Sequence, residues 1–165
     1  MFPDSHAAVL SECRRYRYKL AREWNRSRPT LTFIMLNPST ADATLDDPTI
    51  RRCIGFAHGN EFGGLHVFNL FAFRATDPMQ MKAADDPVGP DNDTHIMTAL
   101  TTAAATNSPI IAAWGVHGAY NGREAEVRRL SLECGVKLMC LGSTKGGHPR
   151  HPLYVAAAQE FICLV

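Results

Sequence analysis

Four short apolar runs set the limits on what this chain can fold into: Leu31-Thr-Phe-Ile-Met-Leu36, Leu65-His-Val-Phe-Asn-Leu70, Ile110-Ile-Ala-Ala-Trp114 and Val136-Lys-Leu-Met-Cys-Leu141. Each has strand length and is too short for a core helix. The segments between them carry helix punctuation. Asp47-Pro48 supplies an N-cap and a first-turn proline for a helix through Phe56, with Gly59 placed to end it in the left-handed conformation. A second helix is predicted from Asp91 or Asp93 through the alanine-rich stretch to Ala105, and a third from about Gly122 to Glu133, stopping at Gly135. Strands alternating with helices build a parallel sheet covered on both faces through right-handed crossovers. The expected fold is therefore α/β, with three α/β/α layers around a central, mainly parallel four-stranded sheet. Tyr16, Tyr18 and Leu20 alternate with charged residues and add a candidate edge strand.

The 165 residues, 45% of them hydrophobic, suit one domain spanning 1–165 that folds without disulfide or metal staples. Seventeen basic side chains against sixteen acidic ones exclude a protein that blankets nucleic acid with positive charge. A local patch is not excluded. Arg14, Arg15, Arg17, Lys19, Arg22, Arg26 and Arg28 stand against Glu23 alone, whereas Asp42, Asp46, Asp47, Asp85, Asp86, Asp91 and Asp93 sit in later loops. The cluster reads as a face for an anionic polymer or as a solvated edge. Five widely spaced cysteines with no Cys-x-x-Cys pair argue for reduced, buried thiols rather than a disulfide framework, a zinc site or an iron–sulfur cradle. Pro3, Asp4 and His6 stand where a secretory signal would need an apolar run, and no stretch approaches the roughly 20 apolar residues of a membrane span. A cytoplasmic monomer is expected, with no membrane association, no metal and no cofactor.

Ligands of open α/β sheets bind beyond the carboxyl ends of the strands, so the loops after the four runs should hold the chemistry. These loops read Asn37-Pro-Ser-Thr-Ala-Asp42; Phe71-Ala-Phe-Arg-Ala-Thr-Asp-Pro78, with Asn69 inside the preceding strand end; Gly115-Val-His-Gly118; and Gly142-Ser-Thr-Lys-Gly-Gly-His-Pro-Arg-His-Pro152. Dinucleotide-binding, P-loop, nucleophile-elbow and zincin motifs are all absent, which disfavours those enzyme classes. Ser143-Thr-Lys-Gly-Gly147 is compatible with an anion but unspecific.

Taken in order, the strand-end motifs resemble those of the uracil-DNA glycosylase superfamily. Met35-Leu-Asn37-Pro38-Ser resembles the first motif, especially that of the mismatch-specific branch; Val67-Phe-Asn69-Leu resembles the strand whose terminal asparagine reads the base. Ile111-Ala-Ala-Trp-Gly115 resembles the third strand, and His151-Pro-Leu the closing element. From Tyr16 to Tyr154 the chain more closely resembles the family called domain of unknown function 1643, through Asn37-Pro-Ser-Thr-Ala-Asp42, Asp46-Asp-Pro-Thr-Ile-Arg-Arg52, Arg74-Ala-Thr-Asp-Pro78 and Pro149-Arg-His-Pro-Leu-Tyr154. The glycosylase resemblance implies a uracil-DNA glycosylase-like fold and metal-free hydrolysis of a base flipped from DNA. The chain departs from that pattern in three ways. Asn37 stands where the principal uracil-excising branch has a water-activating aspartate, the iron–sulfur branch's cysteines are missing, and His148 and the Arg150-His151 pair lie outside the motif.

Cleaving an N-glycosidic bond requires a donor for the departing base, a held water and a pocket closed to bulk solvent. His151, or alternatively His148, is the candidate donor and Asn37 the candidate water ligand; Asp46 is a candidate general base or a turn carboxylate, and Asp47 a helix cap. Asn69 offers the paired donor and acceptor that complement a pyrimidine edge, flanked in the base-binding set by Pro38 and Ser39. Phe71 and Phe73 either stack on an extruded base or join Trp114 in the core. Arg74, Lys145 and Arg150 are candidate DNA contacts, and Leu153 and Tyr154 candidate wedges. Three readings stay open: a DNA glycosylase acting on a damaged, mismatched or modified base, phage hypermodified pyrimidines included; a hydrolase of free nucleosides or nucleotides; and a non-catalytic reader of modified nucleic acid.

Overall fold

A computed structural model describes residues 5–165, so Pro3 and Asp4, two of the residues read above as unlike a secretory signal, lie outside the described residues. In chain order the elements are β1 (Ser5–Leu10), β2 (Arg17–Glu23), β3 (Thr30–Met35), α1 (Pro48–Gly59), β4 (Gly64–Asn69), α2 (Pro78–Lys82), α3 (Asn92–Thr106), β5 (Ile110–Ala112), α4 (Arg123–Glu133), β6 (Leu138–Cys140) and β7 (Ile162–Cys163). Short 3₁₀ segments follow at Val116–Gly122 and Pro152–Tyr154.

The four apolar runs become β3, β4, β5 and β6, paired in parallel in the order β4-β3-β5-β6. They do not make the whole sheet. The expected four-stranded, mainly parallel sheet is corrected to a seven-stranded mixed one, because β2 pairs antiparallel with β4, β1 folds onto β2, and β7 closes antiparallel on β6. The Tyr16–Leu20 segment is thus a strand, but lies second from the edge. Its charges disguised it: Arg17 and Arg22, read as solvent-facing, are buried. β7 is two residues long, too short for a hydrophobic period to register.

The central strands are mostly apolar, with Thr30, Thr32, His66 and Asn69 as exceptions, because both of their faces are covered. Ile34, Phe68, Ile110 and Ala112 pack with Ile96 and Leu100 of α3 and Val127 of α4. Their neighbours Phe33, Met35, Val67 and Ile111 pack with Ile50, Cys53 and Phe56 of α1 on the opposite side. The three-layer α/β/α arrangement follows.

Helix boundaries answer to their caps. Asp47 Oδ1 accepts from the Ile50 N–H at 2.9 Å and Pro48 opens α1. Gly59 is the last helical residue rather than a left-handed terminator; the positive φ of 61° falls on Glu61 instead. Asn107 ends α3 in the left-handed region, and Gly135, at φ 72°, follows α4 as its sequence predicts. All five cysteines are free thiols, of which only Cys53 and Cys140 are fully buried; Cys13 and Cys163 are exposed. No helix among the described residues is long and apolar enough to cross a membrane.

The basic run is divided between interior and surface: Arg17 and Arg22 are buried, while Arg14, Arg15, Arg26 and Arg28 are exposed. Arg22 donates from Nε to Asp46 Oδ1 at 2.8 Å and from Nη1 to the Ala21 carbonyl at 2.9 Å, while its Nη2 reaches the Asp42 carbonyl. Arg26 and Arg28 are paired with Glu23 and Glu61 at 3.6 and 3.8 Å. Removing one partner of a buried pair leaves the other uncompensated, at a cost of about 3 kcal/mol. Asp46→Asn should therefore lower stability by about that amount, read as a fall in the urea unfolding midpoint at unchanged slope.

Candidate functional site

The parallel order β4-β3-β5-β6 creates a switch point between β3 and β5, because α1 carries the chain from β3 to β4 on one side while α3 returns it to β5 on the other. Such a switch opens a crevice beyond the strand ends. A cleft of about 810 Å³ lies there, lined by the residues that follow β3, the end of β4, the residues after β5 and the segment around His151.

Backbone pairing fixes its walls. The ladder of β3 and β4 runs past both strands, with Leu70 N–H donating to Met35 O at 2.8 Å, Phe71 N–H to Leu36 O at 2.9 Å and Ala75 N–H to Pro38 O at 2.9 Å. After β5, Gly115 donates to Pro149 O at 2.9 Å, drawing in the chain that carries His151. Gly115 has φ 70° and ψ −168°, a conformation essentially confined to glycine.

Asn37, Asn69 and His151 all line this one cleft. The Asn37 amide donates from Nδ2 to Ala75 O at 2.7 Å and to Pro38 O at 3.2 Å, which leaves Oδ1 as a free acceptor among the described residues. Asn69 is 1% exposed, yet neither its Oδ1 nor its Nδ2 has a partner among the described residues. An orphaned buried amide costs free energy that a ligand can return. Its backbone is held from behind, where buried Asn92 donates to the Asn69 and Leu70 carbonyls at 3.0 and 3.1 Å, and Arg123 donates to Leu70 O at 2.8 Å. Trp114 lines the same cavity, with its indole N–H buried and unpartnered among the described residues. Gly118 lies against that ring so closely that a Cβ would stand 2.2 Å from Trp114 Cδ1.

His151 caps the 3₁₀ turn Pro152–Tyr154. Its Nδ1 accepts from the Leu153 N–H at 3.2 Å, so the neutral ring carries its proton on Nε2. Burial pushes its pKa down, partly opposed by the carboxylate of Asp47. The ring is thus a neutral donor at neutral pH. His148 does not line the cleft: its Nδ1 sits 2.9 Å from Glu124 Oε2.

Of the other predicted site residues, Ser39, Arg150, Leu153 and Tyr154 line the cleft, with Ser39 Oγ 3.3 Å from Thr76 Oγ1. Pro38, Phe71, Phe73, Arg74 and Lys145 do not. Phe71 is fully buried in the core, Phe73 packs edge-on against Tyr16, and Arg74 donates to the Arg14 carbonyl at 3.3 Å. Asp46 also lies outside, held by Arg22; its neighbour Asp47, read only as a cap, is the carboxylate that lines the cavity. Arg17, Trp114 and His117 join the lining without having been singled out for it. The position of Trp114 directly before a strand-end glycine was a usable signal; nothing in the spacing separates Arg17 from the other basic residues of its run. Among the described residues, no group of three or more His, Cys, Asp or Glu side chains could hold a metal ion.

The fold and cleft define an α/β/α protein with a largely apolar pocket, carrying a few polar groups, at the switch point of its sheet. The chain belongs to the family described as protein of unknown function (DUF1643), which matches residues 17–153 and so includes Asn37, Asn69 and His151. No curated protein and no solved structure matches it.

Because its pKa is depressed by folding, His151 contributes stability that is full above its ordinary value of 6.5 and is lost as pH falls through the lowered one. An imidazole NMR titration should give a midpoint below 6.5 for this ring, with the Nε2–H tautomer on the alkaline side. His151→Gln should remove that part of the acid sensitivity.

Proposed function

We propose that the protein is a DNA glycosylase that flips a damaged, mismatched or modified base out of DNA and hydrolyses its N-glycosidic bond, leaving an abasic site. The observation that carries the reading is Asn69, a solvent-excluded amide with donor and acceptor both unsatisfied, lining a cleft. Such a pair matches the alternating acceptor and donor edge of a pyrimidine. The three layers and four central parallel strands are compatible with the uracil-DNA glycosylase-like arrangement that the strand-end motifs resemble.

In this mechanism Asn69 holds the base edge and the Asn37 Oδ1 accepts a hydrogen from the attacking water. The C1′–N bond breaks as charge builds on the base, whose oxygen receives the His151 Nε2–H hydrogen bond. The water oxygen then bonds to C1′, and its released proton restores the neutral base. Asp47, facing His151, favours positive charge in the cleft and so stabilises the oxocarbenium-like sugar. Leu153 and Tyr154, 46% and 78% exposed and lining the same cleft, are suited to fill the gap an extruded base leaves.

A second reading, a hydrolase of free nucleosides or nucleotides, is favoured by one observation. Arg17 and Arg22 of the basic run are internal, which lowers the surface charge available to a DNA backbone. Salt separates the two, since DNA binding weakens steeply with ionic strength and nucleoside binding does not.

Duplexes carrying uracil, mismatches and modified cytosines or thymines, incubated with the protein and then cleaved with alkali, should break at one class of base. Asn37→Ala and His151→Ala should each slow release by roughly 10²–10⁴-fold with the circular dichroism spectrum unchanged. Full activity in both variants would remove the assignment, and tight binding with no release would identify a reader.

A further inference from the structure

Arg17, Arg22 and Arg123 are all buried, and only one of them lacks an anion. Arg22 is paired with Asp46, and Arg123 with Asp93 and Glu126. Arg17 is 2% exposed, lines the cleft and forms no ion pair among the described residues. Its Nη1 donates to the Ala41 carbonyl, while its Nε is buried without a partner. A guanidinium offers five N–H donors, so most of its capacity is unused. Burial lowers its pKa to about 10, which leaves it charged at neutral pH.

The groups around it do not account for this cation. Asp47 and Asp42 favour its charge, Arg22 and Arg74 oppose it, and Asp42 is occupied by the backbone N–H groups of Thr44 and Leu45. Asp47 spends Oδ1 on capping α1. Arg17 sits where the loops after β3 and β4 meet, its own N–H donating to Ala72 O at 3.0 Å and its side chain reaching Ala41. A charge taken out of water and given one neutral acceptor is placed for a partner that arrives from the cavity.

We propose that Arg17 binds an anionic oxygen of the ligand, so that this cleft selects a nucleobase or nucleotide bearing an acidic group. The proposal rests on the base-binding reading above and adds the substrate class to it. Arg17 takes the acidic oxygens in a forked contact, while Asp47, lining the same cleft, takes a neutral N–H or O–H of the same ligand. A cavity of about 810 Å³ has room for a base together with such a substituent. The acidic oxygen has two sources, a nucleotide phosphate or a carboxylate on the base.

Calorimetric titration of the full chain with deoxyuridine, deoxyuridine 5′-monophosphate and 5-carboxydeoxyuridine separates them. At least one acidic probe should bind ten-fold or more tightly than deoxyuridine, the preferred probe naming the source. Arg17→Gln should abolish that preference and Arg17→Lys should retain part of it. Equal affinity for all three probes, no binding of any, or a preference that survives in folded Arg17→Gln would overturn the proposal. Should Arg17→Gln fail to fold, Arg17→Lys decides: a selective fall for the acidic probe supports the assignment, and an equal fall for all three overturns it. Binding needs no turnover, so a protein that holds the acidic probe through Arg17 and releases no base from any duplex refutes the glycosylase reading and leaves this one standing.

Discussion

The parallel hydrogen-bond ladder between β3 and β4 does not stop where the strands do, and the cleft depends on that continuation. Backbone N–H groups of Leu70, Phe71 and Ala75 keep donating to carbonyls of Met35, Leu36 and Pro38, so the chain beyond each strand is as fixed as the strand itself. Asn69 stands at the last paired position and Asn37 two residues beyond the end of its own strand. Two amides separated by 32 positions in the sequence therefore line one cavity without either resting on a free loop. Sites carried on regular structure keep their geometry better than sites on loops.

Buried cations complete the scaffold. β2 is short of apolar residues for a strand enclosed in a sheet, and it uses Arg22 to collect Asp46 and the carbonyls of Ala21 and Asp42. Those contacts hold the loop between β3 and α1, which delivers Asp47 to the start of the helix and to the cleft. On the opposite layer Arg123 and Asn92 perform the matching task for the carbonyl of Leu70. Asn69, Trp114 and Arg17, which all line the cleft, keep buried donors or acceptors unspent among the described residues. A core built for stability alone satisfies such groups or replaces them with apolar ones.

Apolar period and capping chemistry made the central strands, α1, α3 and α4 legible in the sequence, since Asp47-Pro48, the alanine stretch and Gly135 act through local backbone preferences. Of the flanking strands, β2 was legible as a strand but not its place inside the sheet, and β1 and β7 were not legible. β2 owes its place to side chains that are charged and buried together, a state that no local pattern encodes. Asn37, Asn69 and His151 could be picked out because strand ends in an α/β sheet face one side, whereas the sequence marks Asp47 as a cap without showing that it, and not the Arg22-bound Asp46, lines the cleft. Phe71 and Phe73 mark the same boundary: strand alternation would keep them on the side of Asn69, but both lie beyond the end of β4 and pack against Tyr120 and Tyr16 instead of lining the cleft.

The charge pattern of the cleft bears on how bond cleavage would be divided between sugar and base. Asp47 is the carboxylate among the lining residues, and one of its oxygens is committed to the Ile50 N–H, so using it as a base would set water activation against the helix cap. Asn37 presents an acceptor with no capacity to take a proton. In the proposed reaction the neutral His151 donates to charge on the leaving group without having to lose its own proton. These three features favour a path in which the C1′–N bond lengthens first and water adds late to an oxocarbenium-like sugar, where little nucleophile activation is required.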